Sequence, residues 1–168
     1  MPTREPHILP NNNPEVTLQN AIVRHLQSVL RGSPHASFLL KNFGLDIAIF
    51  IKQNAICYQK FFELKAYVGH RNNAINVGTG GRQIDILLLP DNRLILLDAS
   101  VRWILANAEK RRGEKRYAIF DCTKAKQAII GDVARGRHNN LRVSDFNQSL
   151  ITWKQLCIQI EQFVLAAP

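Results

Sequence analysis

The spacing of apolar residues predicts an amphipathic helix near the start of the chain. Over residues 14–31 the apolar positions recur at about 100° per residue and form one stripe. That stripe consists of Leu18, Ile22, Leu26 and Val29. Asn13 and Pro14 are typical of a helix cap and a first-turn proline, and the Gly-Ser-Pro of residues 32–34 ends the pattern. We therefore expect a helix over residues 14–31 that packs against another element.

Two extended segments follow this helix. Residues 38–51 and 56–67 are rich in β-branched and aromatic side chains, and residues 52–55 separate them. This pattern predicts two adjacent, antiparallel strands. Apolar side chains occupy both faces of residues 45–51, which indicates a strand in the middle of a sheet.

The later part of the chain predicts further strands and a closing helix. Strands are expected at residues 101–105 and 117–120, on either side of the charged segment 107–116. A helix is expected over residues 148–166. Its apolar face consists of Trp153, Cys157, Ile160 and Val164. Together these elements predict an α/β fold, with a central mixed β-sheet flanked by helices.

Two stretches lack a clear period. Residues 69–81 are polar and rich in glycine, which favours a mobile loop. Residues 84–97 fit either a hairpin that turns at residues 90–93 or a helix that enters a strand.

The composition is that of one ordinary globular domain. The chain has 168 residues, of which 46% are hydrophobic and 21% charged. Residues 1–13 form a polar leader, and residues 14–168 are expected to form a single domain. Neither an export signal nor an apolar stretch of membrane-spanning length is visible, so we expect a soluble, cytoplasmic protein with no membrane contact.

The three cysteines and five histidines suggest no metal or nucleophilic chemistry. Cys57, Cys122 and Cys157 are too widely spaced for a zinc motif, and we expect free, buried thiols. The histidines share no ligand spacing, and no Ser/His/Asp or Cys/His arrangement is evident. We therefore do not expect a nucleophilic hydrolase.

The charge of the chain favours a polyanionic partner. The formal net charge is +9, and residues 102–142 hold eleven Lys or Arg against four Asp or Glu, a local excess of +7. Each phosphate that Lys or Arg neutralises releases condensed counterions, which favours binding to nucleic acid. A solvated basic surface without a partner is the alternative.

Glu63 and Lys65 are charged residues in an otherwise apolar strand. Side chains alternate between the faces of a strand, so Glu63 and Lys65 are neighbours on one face. Burying a charge is unfavourable unless it is paired or bound to a metal. The pattern indicates either a site or an ion pair on an edge strand.

Asp46 and Glu15 complete a candidate constellation. If residues 38–51 and 56–67 pair as a hairpin, Asp46 can approach Glu63 and offer two hard carboxylate oxygens to Mg²⁺. Solvent exposure at the start of the strand is the alternative for Asp46. Glu15 lies on the apolar stripe of the first helix and faces inward. A favourable interaction with the helix dipole is the alternative for Glu15.

These residues resemble the PD-(D/E)xK nuclease superfamily, the fold of restriction endonucleases. The matching residues are Asp46 in Gly44-Leu45-Asp46-Ile47, Glu63-Leu64-Lys65 in the next strand, and Glu15 on the preceding helix. Leu45 stands in place of the proline in the family's name. The motif covers residues 14–67, and the remainder of the chain agrees only in general plan.

The resemblance implies a restriction endonuclease-like fold and Mg²⁺-dependent hydrolysis of DNA phosphodiester bonds, leaving 5′-phosphate ends. Asp46 and Glu63 would hold Mg²⁺, for which Mn²⁺ is a substitute, and Glu15 would reach it directly or through water. Lys65 would orient or deprotonate the attacking water and offset charge on the phosphorane. Gln83 matches a supporting Gln on the helix that follows the Glu-x-Lys strand in many relatives, although it could instead begin a strand.

Three other patterns are weaker. Asp85 followed by Asp98-Ala99-Ser100 has the outline of the same motif, but a serine replaces the lysine.

Gly78, Gly80 and Gly81 lack a complete phosphate-loop motif, and with Arg82 they predict a flexible loop that becomes ordered over DNA. A third segment mixes cations with amides that can contact base edges, although a disordered basic loop is the alternative. It contains Arg135, Arg137, His138, Asn139, Asn140 and Arg142.

The expected function is that of a type II restriction endonuclease acting on double-stranded DNA. One domain carries one site, so cutting both strands requires two nicks or a dimer, and we expect a homodimer. A DNA repair or junction-resolving nuclease is the next alternative. The competing class is a catalytically inactive nucleic-acid-binding module with the same fold, and a structural or protein-binding domain is a third.

Overall fold

A helix, a mixed sheet and a closing helix follow one another along the chain. The computed structural model describes residues 3–31, 36–40, 46–53, 55–68, 74–76, 101–121, 140–142 and 148–166. Its elements are α1 (Pro14–Leu30), β1 (Ala36–Leu40), β2 (Ile47–Gln53), β3 (Ile56–Tyr67), β4 (Ala74–Asn76), β5 (Val101–Asn107), β6 (Tyr117–Asp121), β7 (Asn140–Arg142) and α2 (Trp153–Leu165). The α/β class and the mixed sheet expected from the sequence are therefore confirmed.

Helix α1 begins and ends close to the predicted positions. Pro14 occupies the first turn as expected, and the apolar residues Leu18, Ile22 and Leu26 are buried. Asn13 is the N-cap residue, but its side chain makes no capping hydrogen bond. Instead its backbone adopts a left-handed conformation with φ 45° and ψ 60°, and its carbonyl accepts the N–H of Thr17 at 3.0 Å. This is the first hydrogen bond of the helix, which therefore starts without a side-chain cap.

The larger sheet has five strands in the order β1-β2-β3-β5-β6. Strands β1, β2 and β3 pair antiparallel, β3 and β5 pair parallel, and β5 and β6 pair antiparallel. The predicted antiparallel pairing of β2 with β3 and the interior position of β2 are both confirmed. Strand β3 lies at the centre of the sheet, between an antiparallel and a parallel neighbour.

The predicted strand over residues 38–51 was wrong in its extent, because two strands occupy this stretch. Strand β1 folds back on β2, with Leu40 opposite Ala48. Residues 41–45 between them lie outside the described part of the chain, and they include Asn42 and Gly44, residue types that favour turns. The turn between β2 and β3 is shorter than residues 52–55, since Gln53 already pairs with Ile56.

Part of the segment predicted as a loop is a strand. Within residues 69–81, β4 pairs antiparallel with β7 in a separate two-stranded sheet. The prediction failed there because the partner strand lies more than 60 residues further along the chain, and no local period reveals such a pairing. Residues 84–97, for which a hairpin and a helix both fit the sequence, lie outside the described residues.

The core lies between one face of the larger sheet and the two helices. Phe62 of β3 meets Phe163 of α2 edge to face, with ring centroids 5.4 Å apart. The predicted apolar face of α2 is buried as expected, at Trp153, Cys157, Ile160 and Val164. The helix begins later than residue 148, because Thr152 and Gln155 form a reciprocal capping box that fixes its start.

The cysteines differ from one another. Cys157 is free and buried as expected, and burial raises the pKa of its thiol to about 12, which disfavours the thiolate. Cys57 is exposed near the start of β3, so the expectation of a buried thiol was wrong at this position. Tyr58 contacts α2 at the Val164 carbonyl, and Cys57, the residue before it, lies on the opposite face of β3, where the start of the strand is exposed. Cys122 lies outside the described residues.

The leader packs against the domain through residues 3–13. Ile8 is only 2% exposed and joins the core, while Trp153 donates its indole N–H to the carbonyl of Thr3 at 2.7 Å. Arg116, 1% exposed, lies 3.0 Å from the Glu5 carboxylate, and it also donates to the carbonyl of Pro6 at 2.8 Å. This buried ion pair fixes the leader to the start of β6.

Candidate active site

The pairing of β2 with β3 brings Asp46 to Glu63. Ile47 lies opposite Phe62, so the residue before Ile47 lies beside the residue after Phe62. The Asp46 side chain shares a hydrogen bond with that of Glu63. It also accepts the backbone N–H of Leu64 at 2.7 Å. The two carboxyl groups therefore lie on the same side of the sheet, as the hairpin interpretation predicted.

Strand β3 supplies both Glu63 and Lys65. Glu63 is 3% exposed, whereas Lys65 is half-buried. Because they are two residues apart on one strand, both side chains project from the same face. Strand β3 is hydrogen-bonded on both sides, so the alternative of an ion pair on an edge strand does not apply. This central strand holds the two groups on a rigid support.

Helix α1 contributes Glu15 from its first turn. The carboxylate accepts the backbone N–H of Ala66, directly after Lys65. Burial raises the pKa of Glu15, and the nearby Lys65 charge opposes that shift while Asp46 adds to it. The charges of Lys65 and Asp46 therefore both act on Glu15. An interaction with the helix dipole alone does not account for this position.

The sequence did not reveal the role of Gln19. Its side-chain amide donates to the backbone carbonyl of Asp46 at 2.8 Å. Gln19 follows Glu15 by one helical turn, and residues four apart share a helix face. This spacing was the available signal. One face of α1 thus places a carboxylate in the site and holds the backbone of a second acid.

The electrostatics of the site are dominated by its acids. Burial raises the pKa of Asp46, and three contacts oppose this shift: the Leu64 N–H, the Lys65 charge and the hydrogen bond with Glu63. With every group ionised, three carboxylates and one ammonium leave a formal charge of −2. A phosphodiester anion is repelled by such a site unless a cation intervenes.

The donor set fits a hard divalent cation. Carboxylate oxygens are the ligands that Mg²⁺ prefers, and a typical Mg²⁺ site uses one or two of them with water and phosphate. Asp46 and Glu63 are such a pair, because their side chains lie within hydrogen-bonding reach of one another. Among the described residues, no group of three or more His, Cys, Asp and Glu side chains is arranged as a ready-made metal site. Asp46 and Glu63 are the two carboxylates whose side chains meet, and Glu15 accepts the Ala66 N–H.

Apart from Asn140 and Arg142, the remaining predicted site residues lie outside the described part of the chain. Gln83, the second motif of Asp85 and Asp98-Ala99-Ser100, and the glycine segment with Arg82 lie outside the described residues. The same holds for Arg135, Arg137, His138 and Asn139. Asn140 and Arg142 begin and end β7, opposite Asn76 and Ala74 of β4.

No protein-family model, curated protein or solved structure matches the chain. A functional assignment therefore depends on the side chains of the candidate site and on the surface beside them. Within the described part of the chain, no helix combines the length and apolar character needed to cross a bilayer.

Proposed function

We propose that the protein is a Mg²⁺-dependent endonuclease that hydrolyses DNA phosphodiester bonds, most specifically a type II restriction endonuclease. One observation carries the proposal: Glu15, Asp46, Glu63 and Lys65 converge from a helix and two adjacent strands. Clustered carboxylates bind hard cations, and an amine beside them can stabilise the negative charge that develops on a phosphate during hydrolysis. The resemblance of these four residues to the PD-(D/E)xK nucleases supports the same reaction.

Asp46 and Glu63 are the residues that would hold Mg²⁺ or Mn²⁺. When bound, the metal ion polarises the scissile phosphate and lowers the pKa of a coordinated water. The Leu64 N–H orients the carboxylate of Asp46, and the Gln19 amide holds its backbone carbonyl. The position of Asp46 is therefore set before a cation binds.

Lys65 is the cationic group for the phosphate. Its positive charge lowers the pKa of both Glu15 and Asp46, so the ammonium lies near the carboxylate cluster. In the proposed reaction the amine orients or deprotonates the attacking water and offsets the negative charge that develops on the phosphorane. The bond that breaks in this proposal is the one between phosphorus and the 3′ oxygen, which leaves 5′-phosphate ends. One site per chain leads us to propose a homodimer for cutting both strands of a duplex.

Plasmid cleavage tests this function. Supercoiled DNA incubated with the protein and Mg²⁺ should be nicked or linearised, and EDTA should abolish the reaction. Lys65→Ala should remove cleavage while DNA binding is retained, because the amine acts in the transition state. A matched control is Lys154→Ala, which changes an exposed lysine at the start of α2 and should leave the rate unchanged.

Other outcomes separate the alternatives. Preferential cleavage of branched over linear duplex DNA would reassign the protein to junction-resolving nucleases. Salt-dependent binding without cleavage of plasmid, branched or single-stranded DNA would leave an inactive binding module. If no DNA form is bound or cut, the nucleic-acid function fails as a whole.

A further inference from the structure

The turn between β5 and β6 is a basic element outside the carboxylate cluster. It spans residues 108–116, hereafter the basic turn. Apart from Arg116, its cations are Lys110, Arg111, Arg112 and Lys115. Against them stand Glu109 and Glu114, which leaves a formal excess of two positive charges.

The basic turn is internally fixed. The Glu114 carboxylate accepts the backbone N–H of Arg111 at 3.0 Å. Gly113 has a φ of 90°, a left-handed conformation that glycine adopts without strain, and its N–H donates to Glu5 at 2.8 Å. The buried Arg116 donates to the carbonyl of Lys110 at 2.9 Å. Hydrogen bonds from the leader and from within the turn therefore hold its backbone in one conformation.

The basic turn lies at the edge of the sheet that is close to the candidate active site. Strands β3 and β5 are parallel, so both end at the same edge, and the N–H of Ala108 bonds to the carbonyl of Tyr67 at 2.8 Å. Lys65 precedes Tyr67 by two residues, which at ~3.3 Å per residue is a distance of about 7 Å along the strand.

The two adjacent arginines at the tip are available to a ligand. Arg111 and Arg112 are exposed, and among the described residues their guanidinium groups have no ion-pair partner. The carboxylate of Glu114, which follows the tip in sequence, is engaged by the Arg111 backbone N–H. Guanidinium groups bind phosphate oxygens with two parallel N–H donors.

We propose that the basic turn, through Arg111 and Arg112, binds the phosphate backbone of duplex DNA next to the phosphodiester in the candidate active site. This inference rests on the proposed function, since it assigns a substrate-binding surface to that site. The turn contacts backbone rather than bases, so it contributes affinity and register without sequence preference. Because its backbone is already fixed, little ordering is needed when DNA binds.

Equilibrium binding tests the proposal separately from catalysis. Every protein carries Lys65→Ala, so that no cleavage interferes, and fluorescence anisotropy of a labelled duplex is measured between about 50 and 200 mM KCl. Relative to that background, Arg111→Ala/Arg112→Ala should weaken binding roughly 10-fold on unrelated sequences. It should also reduce the slope of log K against log salt by about 2, because each arginine neutralises one phosphate.

Two matched variants separate local binding from overall charge. Arg24→Ala/Arg31→Ala removes the same charge from exposed positions of α1 and its C-cap, and should change Kd less than about 2-fold. Arg31 lies 16 residues after Glu15, roughly 24 Å along a helix with a rise of ~1.5 Å per residue. Arg111→Lys/Arg112→Lys keeps the charge and should retain the salt slope.

The outcomes are distinct for the two proposals. Equal affinity and salt slope for the Arg111/Arg112 and Arg24/Arg31 double alanine variants would overturn the role of the basic turn, and so would an absence of DNA binding. A selective loss in the Arg111/Arg112 variant supports the role even if the wild-type protein cleaves no DNA with Mg²⁺. In that case the nuclease proposal alone fails.

Discussion

The Asp46 carboxylate accepts the N–H of Leu64, the residue between Glu63 and Lys65, at 2.7 Å. This bond connects the acid that precedes β2 to the backbone of the central strand. Burial nevertheless raises the pKa of Asp46, so the charged carboxylate is held in an environment that disfavours its charge. Such a group is suited to binding a cation and unfavourable to the stability of the cation-free protein.

Asp46→Asn should stabilise the cation-free protein at neutral pH while removing cleavage. Because the pKa of Asp46 is higher in the folded than in the unfolded state, its protonation stabilises the fold. This stabilisation is complete when the pH is below the unfolded pKa of about 3.9, and it is lost as the pH rises through the folded pKa. Asparagine keeps an oxygen for the Leu64 N–H without the buried charge. We expect a gain of about 1 kcal/mol at pH 7 in EDTA and none near pH 3, measured by urea unfolding. Equal or lower stability of the variant at pH 7 would contradict this account.

Mg²⁺ or Mn²⁺ should raise the melting temperature of the wild-type protein. A ligand bound only by the folded state stabilises it by about 2.7 kcal/mol at a concentration of 100 times Kd, which for a chain of this size is roughly 5–10 °C. Asp46→Asn and Glu63→Gln should each remove most of the shift because each deletes one carboxylate of the pair. KCl of equal ionic strength is the control, and a shift that persists in both variants would place the cation elsewhere.

Gln19→Ala should impair the site without unfolding the protein. The variant loses one hydrogen bond to the Asp46 carbonyl, which costs about 1 kcal/mol of stability. Release of the Asp46 backbone should lower kcat roughly 10- to 100-fold and weaken the stabilisation by Mg²⁺. Gln27→Ala, at an exposed position of the same helix, is the matched control. A positioning role is excluded if the two variants behave alike in both measurements.

The site could be predicted from the sequence as far as local patterns extend. Glu63 and Lys65 interrupt an apolar strand, Asp46 directly precedes another, and strand alternation indicates which face they share. Glu15 was identified because it lies on the apolar stripe of α1. Gln19 was missed because its importance depends on the approach of the Asp46 carbonyl to α1, a tertiary contact that no period along the chain records.

Pairings between distant segments account for the other differences. Strands β4 and β7 are each three residues long, too short for a periodic signal, and only their mutual pairing defines them. Arg116 belongs to a charged run that predicts exposure, yet it is buried because Glu5 supplies a partner more than 100 residues away. Such contacts depend on the whole fold.

Replacing Glu5 should destabilise the protein more than its position in a polar leader suggests. Arg116 and Glu5 lie 3.0 Å apart with side-chain exposures of 2% and 10%, and Tyr117 also donates to Glu5 at 2.9 Å. Glu5→Ala leaves the guanidinium buried without this counter-charge, which should cost about 3 kcal/mol in urea unfolding. Arg4→Ala, at an exposed position, should stay within about 0.5 kcal/mol. Similar stability of the two variants would show that the leader is only loosely attached.

His25 should make the protein sensitive to mild acid. It faces α2, where its Nε2 lies 3.1 Å from the Glu161 carboxylate, and burial lowers its pKa even though Glu161 acts to raise it. Because the pKa of His25 is lower in the folded than in the unfolded state, the imidazole costs no stability while the pH is above the unfolded pKa of about 6.5. The free energy of unfolding then decreases as the pH falls towards the folded pKa. One proton can change the free energy of unfolding by at most about 1.4 kcal/mol per pH unit.

The measurement is urea unfolding at intervals between pH 7.5 and 5 for the wild type, His25→Gln and Glu161→Gln. Subtracting the His25→Gln curve from the wild-type curve removes other titrating groups, including Asp46 and Glu15, whose raised pKa values act in the opposite direction. The difference should decrease as pH falls below about 6.5. Glu161→Gln should steepen the decline, because without its carboxylate the imidazolium loses a stabilising charge on α2. Parallel wild-type and His25→Gln curves would mean that His25 does not titrate differently in the folded and unfolded states.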